Sequence, residues 1–365
     1  MDRKPRVLHS PLNIANDPWC LSRAERLLGV ESDLAIIARN FFAPDADIDL
    51  GDRSISTLRR NSRKLAFVGH ALTYYDLFNY SFGASIVDYR RLRLELLDLK
   101  WARRLGKGVV VTFHGCDIRG IRAGGCSICP EGCADLPAMR RRFSVIRQHA
   151  DVLFVKTPDL LDAVPGAYLL PQAVDISLLE PVPPAMDGSL RFVHAPTSRE
   201  RKGTDLVVDA FRRLEDDGFD VTLDIVEKTP HHEALLRYRS ADVGIGQFHA
   251  GWYGVFGIEL MALGKPVVSW IDPRYVTAAG LGEVPMVSSH ADGLYEALRQ
   301  ICLERSRLAD IGLKARHYAA QVHGAQAVAR RSIGHYASID RLKHLDWPGP
   351  RDGSVAASVN AGEGE

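Results

Sequence analysis

No stretch of this 365-residue sequence approaches the ~18 consecutive apolar residues that a membrane-spanning helix requires. The opening MDRKPRVLHSPLN has no apolar core of signal-peptide length, so the chain is expected to stay in the cytoplasm. Net charge is nearly absent: 46 Lys and Arg stand against 45 Asp and Glu, a formal +1. Attraction of the whole molecule to nucleic acid needs a large basic excess, and no nucleic-acid partner is expected. Cysteine is scarce as well, six in all. Cys20 and Cys302 stand alone, whereas Cys116, Cys126, Cys129 and Cys133 share one short loop. In a reducing compartment such a cluster points to a metal before it points to disulfides.

What is present is ordinary globular material, 46% hydrophobic and 25% charged, long enough for two domains. Short β-branched runs alternate with amphipathic stretches, the pattern of an α/β protein with parallel sheets. First-half strands are expected at Arg6–Leu8, Leu34–Ala38, Leu65–Val68, Val109–Phe113 and Val152–Lys156. A second series runs Arg191–His194, Val221–Val226, Asp242–Gly246 and Pro266–Trp270. Asp17 before Pro18 opens the first helix and Gly29 closes it. The segment Leu170–Pro184 holds four prolines in fifteen residues, a poor helix and a good connector. The expected division is therefore 1–172, 173–325, a C-terminal helix at 326–345 and a disordered tail at 346–365, where composition collapses to Gly, Ser and Ala.

In open parallel sheets, ligands bind beyond the carboxyl ends of the strands. His9, His70 and His114 each follow an expected first-half strand and are candidates to line one cleft wall. Gly115 after His114 lets backbone approach a ligand closely. In RFVHAPTSRERKGTDLVVDAF, a strand leads to Arg199, Arg201, Lys202 and Gly203, then to a helix. Cations and free backbone N–H groups at a helix start make a phosphate site. In ADVGIGQFHAGWYGVFGIELMALGKPVVSW, a glycine-rich turn containing Gly251 and Gly254 precedes a helix carrying Glu259. A carboxylate there suits two ribose hydroxyls, and its apolar neighbours call for a partner. The acid pair Asp45 and Asp47 lies in a polar loop without the context of a metal-binding motif.

Taken together, PQAVD at Pro171–Asp175, RKGTDLVVDAF and IELMALGKPVV resemble the retaining glycosyltransferases of family 4, over roughly Val109 to Ala325. The resemblance implies the GT-B fold: an acceptor domain and a nucleotide-sugar domain, both Rossmann-like, facing across a cleft. It implies sugar transfer from a nucleotide-sugar donor to a hydroxyl-bearing acceptor, with retention at the anomeric carbon and no catalytic divalent ion. The acceptor class stays open among small molecule, glycan and lipid-linked compound. By resemblance Lys202 contacts the donor diphosphate with Arg199 or Arg201, Glu259 binds the ribose, and backbone near Val255 and Phe256 holds the phosphates. His114 matches a position near the transferred sugar. The sequence departs from the pattern at Gly251, where the family has a glutamate, and at Thr197, where it has an arginine. A non-catalytic GT-B scaffold and a sugar-nucleotide epimerase are the alternatives.

Beside Gly251, Trp252 and Tyr253 are expected to offer flat faces for stacking on a sugar. That pocket would suit a modified or deoxy sugar; alternatively His249 supplies the contact and an ordinary hexose is used. The four loop cysteines are expected to bind one structural zinc as a lid. Arg90–Lys107 holds seven basic and two acidic residues, and Arg140, Arg141, Arg142 and Arg147 follow. Peripheral contact with an anionic membrane is one reading of them, solvated helix faces the favoured one.

Overall fold

The computed structural model describes residues 3–39, 45–89, 94–122, 126, 135–185 and 187–349. Cys129, Cys133, Arg90, Arg91 and most of the expected tail lie outside them. By its internal contacts the chain divides into two compact units. One takes the N-terminal part as far as Ala173 and resumes at Ala325; the other comprises Val174–Gly324.

The first unit holds β1 (Arg6–Ser10), β2 (Glu31–Ile36), β3 (Ile48–Asp49), β4 (Leu77–Ser81), β5 (Gly108–Phe113), β6 (Val152–Val155) and β7 (Tyr168–Leu169). They form a parallel sheet in the order β3-β2-β1-β4-β5-β6-β7. Parallel neighbours need long crossovers, supplied by α1 (Asp17–Leu27), α2 (Thr57–Tyr74), α3 (Leu97–Arg104) and α4 (Leu136–His149). Helices cover both faces, so most strand residues are buried whichever way they point. On one face Val7, Leu77, Val110 and Phe154 are buried; on the other, Leu8, Phe78, Val109 and Val111.

The second unit repeats the plan with β8 (Leu190–His194), β9 (Val221–Ile225), β10 (Val243–Ile245), β11 (Val267–Ser269) and β12 (Val287–Ser288). Their order is β12-β11-β10-β8-β9, again parallel. Its helices are α5 (Arg199–Lys202), α6 (Thr204–Asp216), α7 (His231–Ser240), α8 (Val255–Ala262), α9 (Pro273–Ala279), α10 (Leu294–Leu303) and α11 (Leu308–Tyr318). The last helix, α12 (Ala325–Ala337), returns to the first unit. There Ser332 donates to buried Glu25 at 3.0 Å, and Asn79 donates to the Tyr336 hydroxyl at 3.1 Å.

The strand expected at Leu65–Val68 is instead helical, the third and fourth turns of α2. Its buried residues, Val68, Ala71 and Leu72, recur at the helical spacing, and Leu65 is exposed. The central strand is β4, whose LFNYS carries two polar residues. Asn79 is tolerated in the core because Thr112 and Tyr336 satisfy its amide. Asp17 does start α1, after left-handed Asn16, but its side chain is no cap. It is buried, accepting from Lys156 Nζ at 2.8 Å and from Ala173 N–H at 2.7 Å.

Candidate functional site

In the second unit, β8 ends at buried His194. Its Nδ1 lies 2.8 Å from the Ile245 carbonyl, which can only accept, so Nδ1 carries the proton. Nε2 therefore accepts from the Thr204 hydroxyl at 3.0 Å. Burial pushes the His194 pKa down to about 4, which keeps the ring neutral as this pair of bonds demands. The start of α6 is thus tied to the ends of β8 and β10. Sequence reasoning passed over His194; the only signal was a histidine closing a strand ten residues before a helix-starting threonine.

Between them lies the basic loop. Gly203 adopts φ +73°, turning the short α5 into α6. Lys202 donates Nζ to the side-chain carbonyl of Gln247, and the Gln247 amide donates to Trp252 O. The Gln247 backbone is clamped in turn by Ser269, at 3.2 Å and 2.9 Å. Burial, with Arg201 adding to it, pulls the Lys202 pKa down to about 8. Lys202, Gln247, Gly254, Phe256 and Ser269 line one pocket. A side chain on Gly254 would come within 3.5 Å of Nζ. Gly254 also precedes α8 with no side-chain cap, leaving the first-turn N–H groups, Val255 and Phe256 among them, without intrahelical acceptors.

Arg199, Arg201 and Glu259, the other expected donor side chains, are not among the residues lining this pocket. Arg199 is ion-paired with Glu227 at 2.7 Å, and Arg201 is exposed. Glu259 is buried on α8, with Oε1 2.6 Å from His231 Nε2. The hydrogen bond to Glu259 raises the pKa of His231 above its usual range.

Gly251 has φ +64°, and a Cβ there would meet Tyr275 at 3.0 Å and Asp272 at 3.1 Å. The expectation for the next two residues is overturned. Trp252 and Tyr253 are buried, stacked on each other with centroids 4.7 Å apart. The Tyr253 hydroxyl contacts Tyr318 and His323, each at 2.9 Å. Large apolar rings gain more by covering the unit's own core than by lying open to water, so neither stands open as a stacking platform, although Tyr253 borders the Lys202 pocket. His249 is exposed, its Nε2 3.3 Å from where a Cβ on Gly203 would sit.

In the first unit, His114 directly follows β5, and its buried Nε2 has no hydrogen-bond partner among the described residues. Burial lowers its pKa to about 4; nearby Asp17 works against that shift, and Lys156 with it. Asp117 fixes the turn, accepting from the N–H groups of His114 and Gly115. Gly115 has φ +147°, and a Cβ would stand 2.8 Å from Arg119 Nη1, so the position needs glycine. The other two histidines do not join it. His9 is buried against Glu25 at 2.8 Å, and His70 lies exposed on α2 beside Tyr74. His70 departs because the strand expected before it is a helix.

Cys116 is exposed and Cys126 partly buried; Cys129 and Cys133 lie outside the described residues. No group of three or more metal-ligating side chains occurs among the described residues. Asp47 serves structure, accepting from Arg23 and from Leu34 N–H. Arg142 is a buried partner of Asp88 and Glu95 rather than part of a surface patch. Among the described residues, no helix is long and apolar enough to cross a membrane.

No family model matches the chain, and no curated protein sequence matches it significantly. Solved structures do. Sucrose-phosphate synthase from Thermosynechococcus elongatus superposes with TM-score 0.61 at 17% identity, over 92% of this chain and 99% of that one. HepE from Anabaena, in complex with UDP and glucose, gives 0.63 at 13%, over 92% and 100%. A glycosyltransferase from Rickettsia africae gives 0.62 at 12%, over 93% and 99%. The fold is GT-B, built from two Rossmann-like domains.

Proposed function

We propose that this chain is a glycosyltransferase that takes a sugar from a nucleoside-diphosphate donor and passes it to a hydroxyl acceptor with retention of configuration. The observation that carries the reading is Lys202 beside the uncapped start of α8, at the carboxyl end of a parallel sheet. That combination suits a phosphate-type anion such as a diphosphate. The likeness to HepE, solved with UDP and glucose, supports the same ligand class.

On this reading Lys202 and the N–H groups of α8 stabilise the charge that grows on the leaving diphosphate as the sugar–oxygen bond breaks. The acceptor oxygen forms the new bond on the same face, and its proton leaves with the diphosphate. The positive charge that many transferases draw from a divalent ion is supplied by Lys202 and an arginine. Glu259 holds the ribose.

The test is thermal unfolding against a panel of nucleotide sugars, followed by transfer and hydrolysis assays with those that bind. One nucleotide family should raise the unfolding midpoint and its sugar should be released or transferred. Binding without release would favour a non-catalytic GT-B protein; no binding at all would overturn the proposal.

A further inference from the structure

Glu259 is a buried carboxylate with an unusual pattern of use. Its side chain is 9% exposed, and Oε1 takes the 2.6 Å bond from His231. Oε2 accepts no hydrogen bond among the described residues. A carboxylate offers about four acceptor sites, so most of its capacity is open. The imidazole that holds it is 41% exposed, which gives the pair one buried end and one accessible end.

The position of His231 is set by packing. Pro230, at φ −55°, leads straight into α7 and makes His231 its first residue. His231, Ala234 and Tyr238 follow the i, i+3, i+7 spacing of one helix face, and the latter two are buried. Tyr238 meets Phe256 of α8 edge-on, centroids 5.0 Å apart. That contact fixes α7 on α8 and brings His231 over Glu259. The charged residues flanking His231 on α7 are engaged elsewhere: Arg237 with Asp224, and His232 beside Glu233.

Resting on the reading of Glu259 as the ribose ligand, we infer that His231 is a positioning residue for the donor nucleoside. It holds the Glu259 carboxylate by one oxygen and so presents the other to the ribose hydroxyls. Without that bond the carboxylate would be free to rotate about its last torsion, and nucleotide would have to fix it on binding.

The experiment uses calorimetry with UDP, ADP, GDP and dTDP on the full chain, taking forward whichever binds. His231→Phe keeps a ring and removes the donor; His231→Gln keeps a side-chain N–H. The Phe variant should weaken nucleotide binding ~10-fold and raise KM alike, with kcat within about twofold. The Gln variant should recover most of the loss, and both should keep the parent unfolding midpoint within a few degrees. Glu259→Ala is measured beside them. If it loses affinity while His231→Phe does not, or if Gln fails where Phe fails, the inference is overturned and the ribose reading stands. If Glu259→Ala binds like the parent, the ribose reading itself is wrong.

Discussion

Lys202 rests on Gln247, an amide, not on a carboxylate. A neutral acceptor fixes the ammonium without cancelling its charge, and the Gln247 amide is itself fixed on Trp252 O. The lysine is therefore aimed and still available to an anion. Lys202→Ala should cut turnover by ~10³-fold, in the range seen when one oxyanion donor is removed. Gln247→Glu is the finer test, because it sets a competing negative charge on Nζ. It should weaken nucleoside diphosphate binding by ~10-fold or more, measured by calorimetry. Unchanged affinity in Gln247→Glu would remove Lys202 from the phosphate site.

The depressed pKa of Lys202, about 8, gives nucleotide binding a pH limit. Burial disfavours the charged form, so the free protein loses this cation as pH rises through 8. Diphosphate affinity should be level from pH 6.5 to 7.5 and fall ~10-fold per unit well above pH 8. Lys202→Arg, whose side chain stays charged, should bind with no such fall.

His194 makes the fold sensitive to acid. Burial holds its folded-state pKa at about 4, below the ordinary 6.5 of a histidine. Between those values the unfolded chain takes up a proton that the native ring resists, so stability is lost as pH drops from 6.5 toward 4. The loss approaches about 3 kcal/mol for a shift of this size. His194→Phe should be less stable than the parent at pH 7.5, by about 1–3 kcal/mol for two buried hydrogen bonds, yet show a shallower acid dependence. Urea unfolding at pH 7.5, 6 and 5 reads both effects.

Gly251 does not admit the glutamate that stands there in the glycosyltransferases the sequence resembles. The backbone is left-handed there, and a Cβ would stand within 3.1 Å of both Tyr275 and Asp272. Gly251→Ala should cost about 1–2 kcal/mol of stability. Gly251→Glu should cost at least as much and should not raise turnover. A Gly251→Glu protein of parent stability with faster transfer would contradict both points.

Several parts of this structure were legible because local pattern and burial agreed. GVVVTF at β5 and VVS at β11 are apolar on both faces, as strands covered by helices on both sides must be. Lys202 and Glu259 stood out as candidates because helix starts and glycines mark them; the structure sets Lys202 against Gln247 and Glu259 against His231. The errors have the opposite cause. Leu65–Val68 reads as a strand over four residues, and only its context over five turns makes it helical. LFNYS is missing from the expected strands because Asn79 and Ser81 break its apolar run, and the partner that makes Asn79 acceptable lies 257 residues away at Tyr336.

By itself the sequence determined the alternation of strands and helices, the glycine-marked turns and the side chains that stand at the helix starts, because each depends on residues within one or two turns of one another. Tertiary structure decided which groups are spent on the fold. It buried Trp252 and Tyr253, put His9 on Glu25, and returned α12 to the first unit. It also chose the partners, His194 for Thr204, Gln247 for Lys202 and His231 for Glu259. Those choices follow from packing between distant segments, where a polar group must find whatever acceptor or donor the opposing element brings.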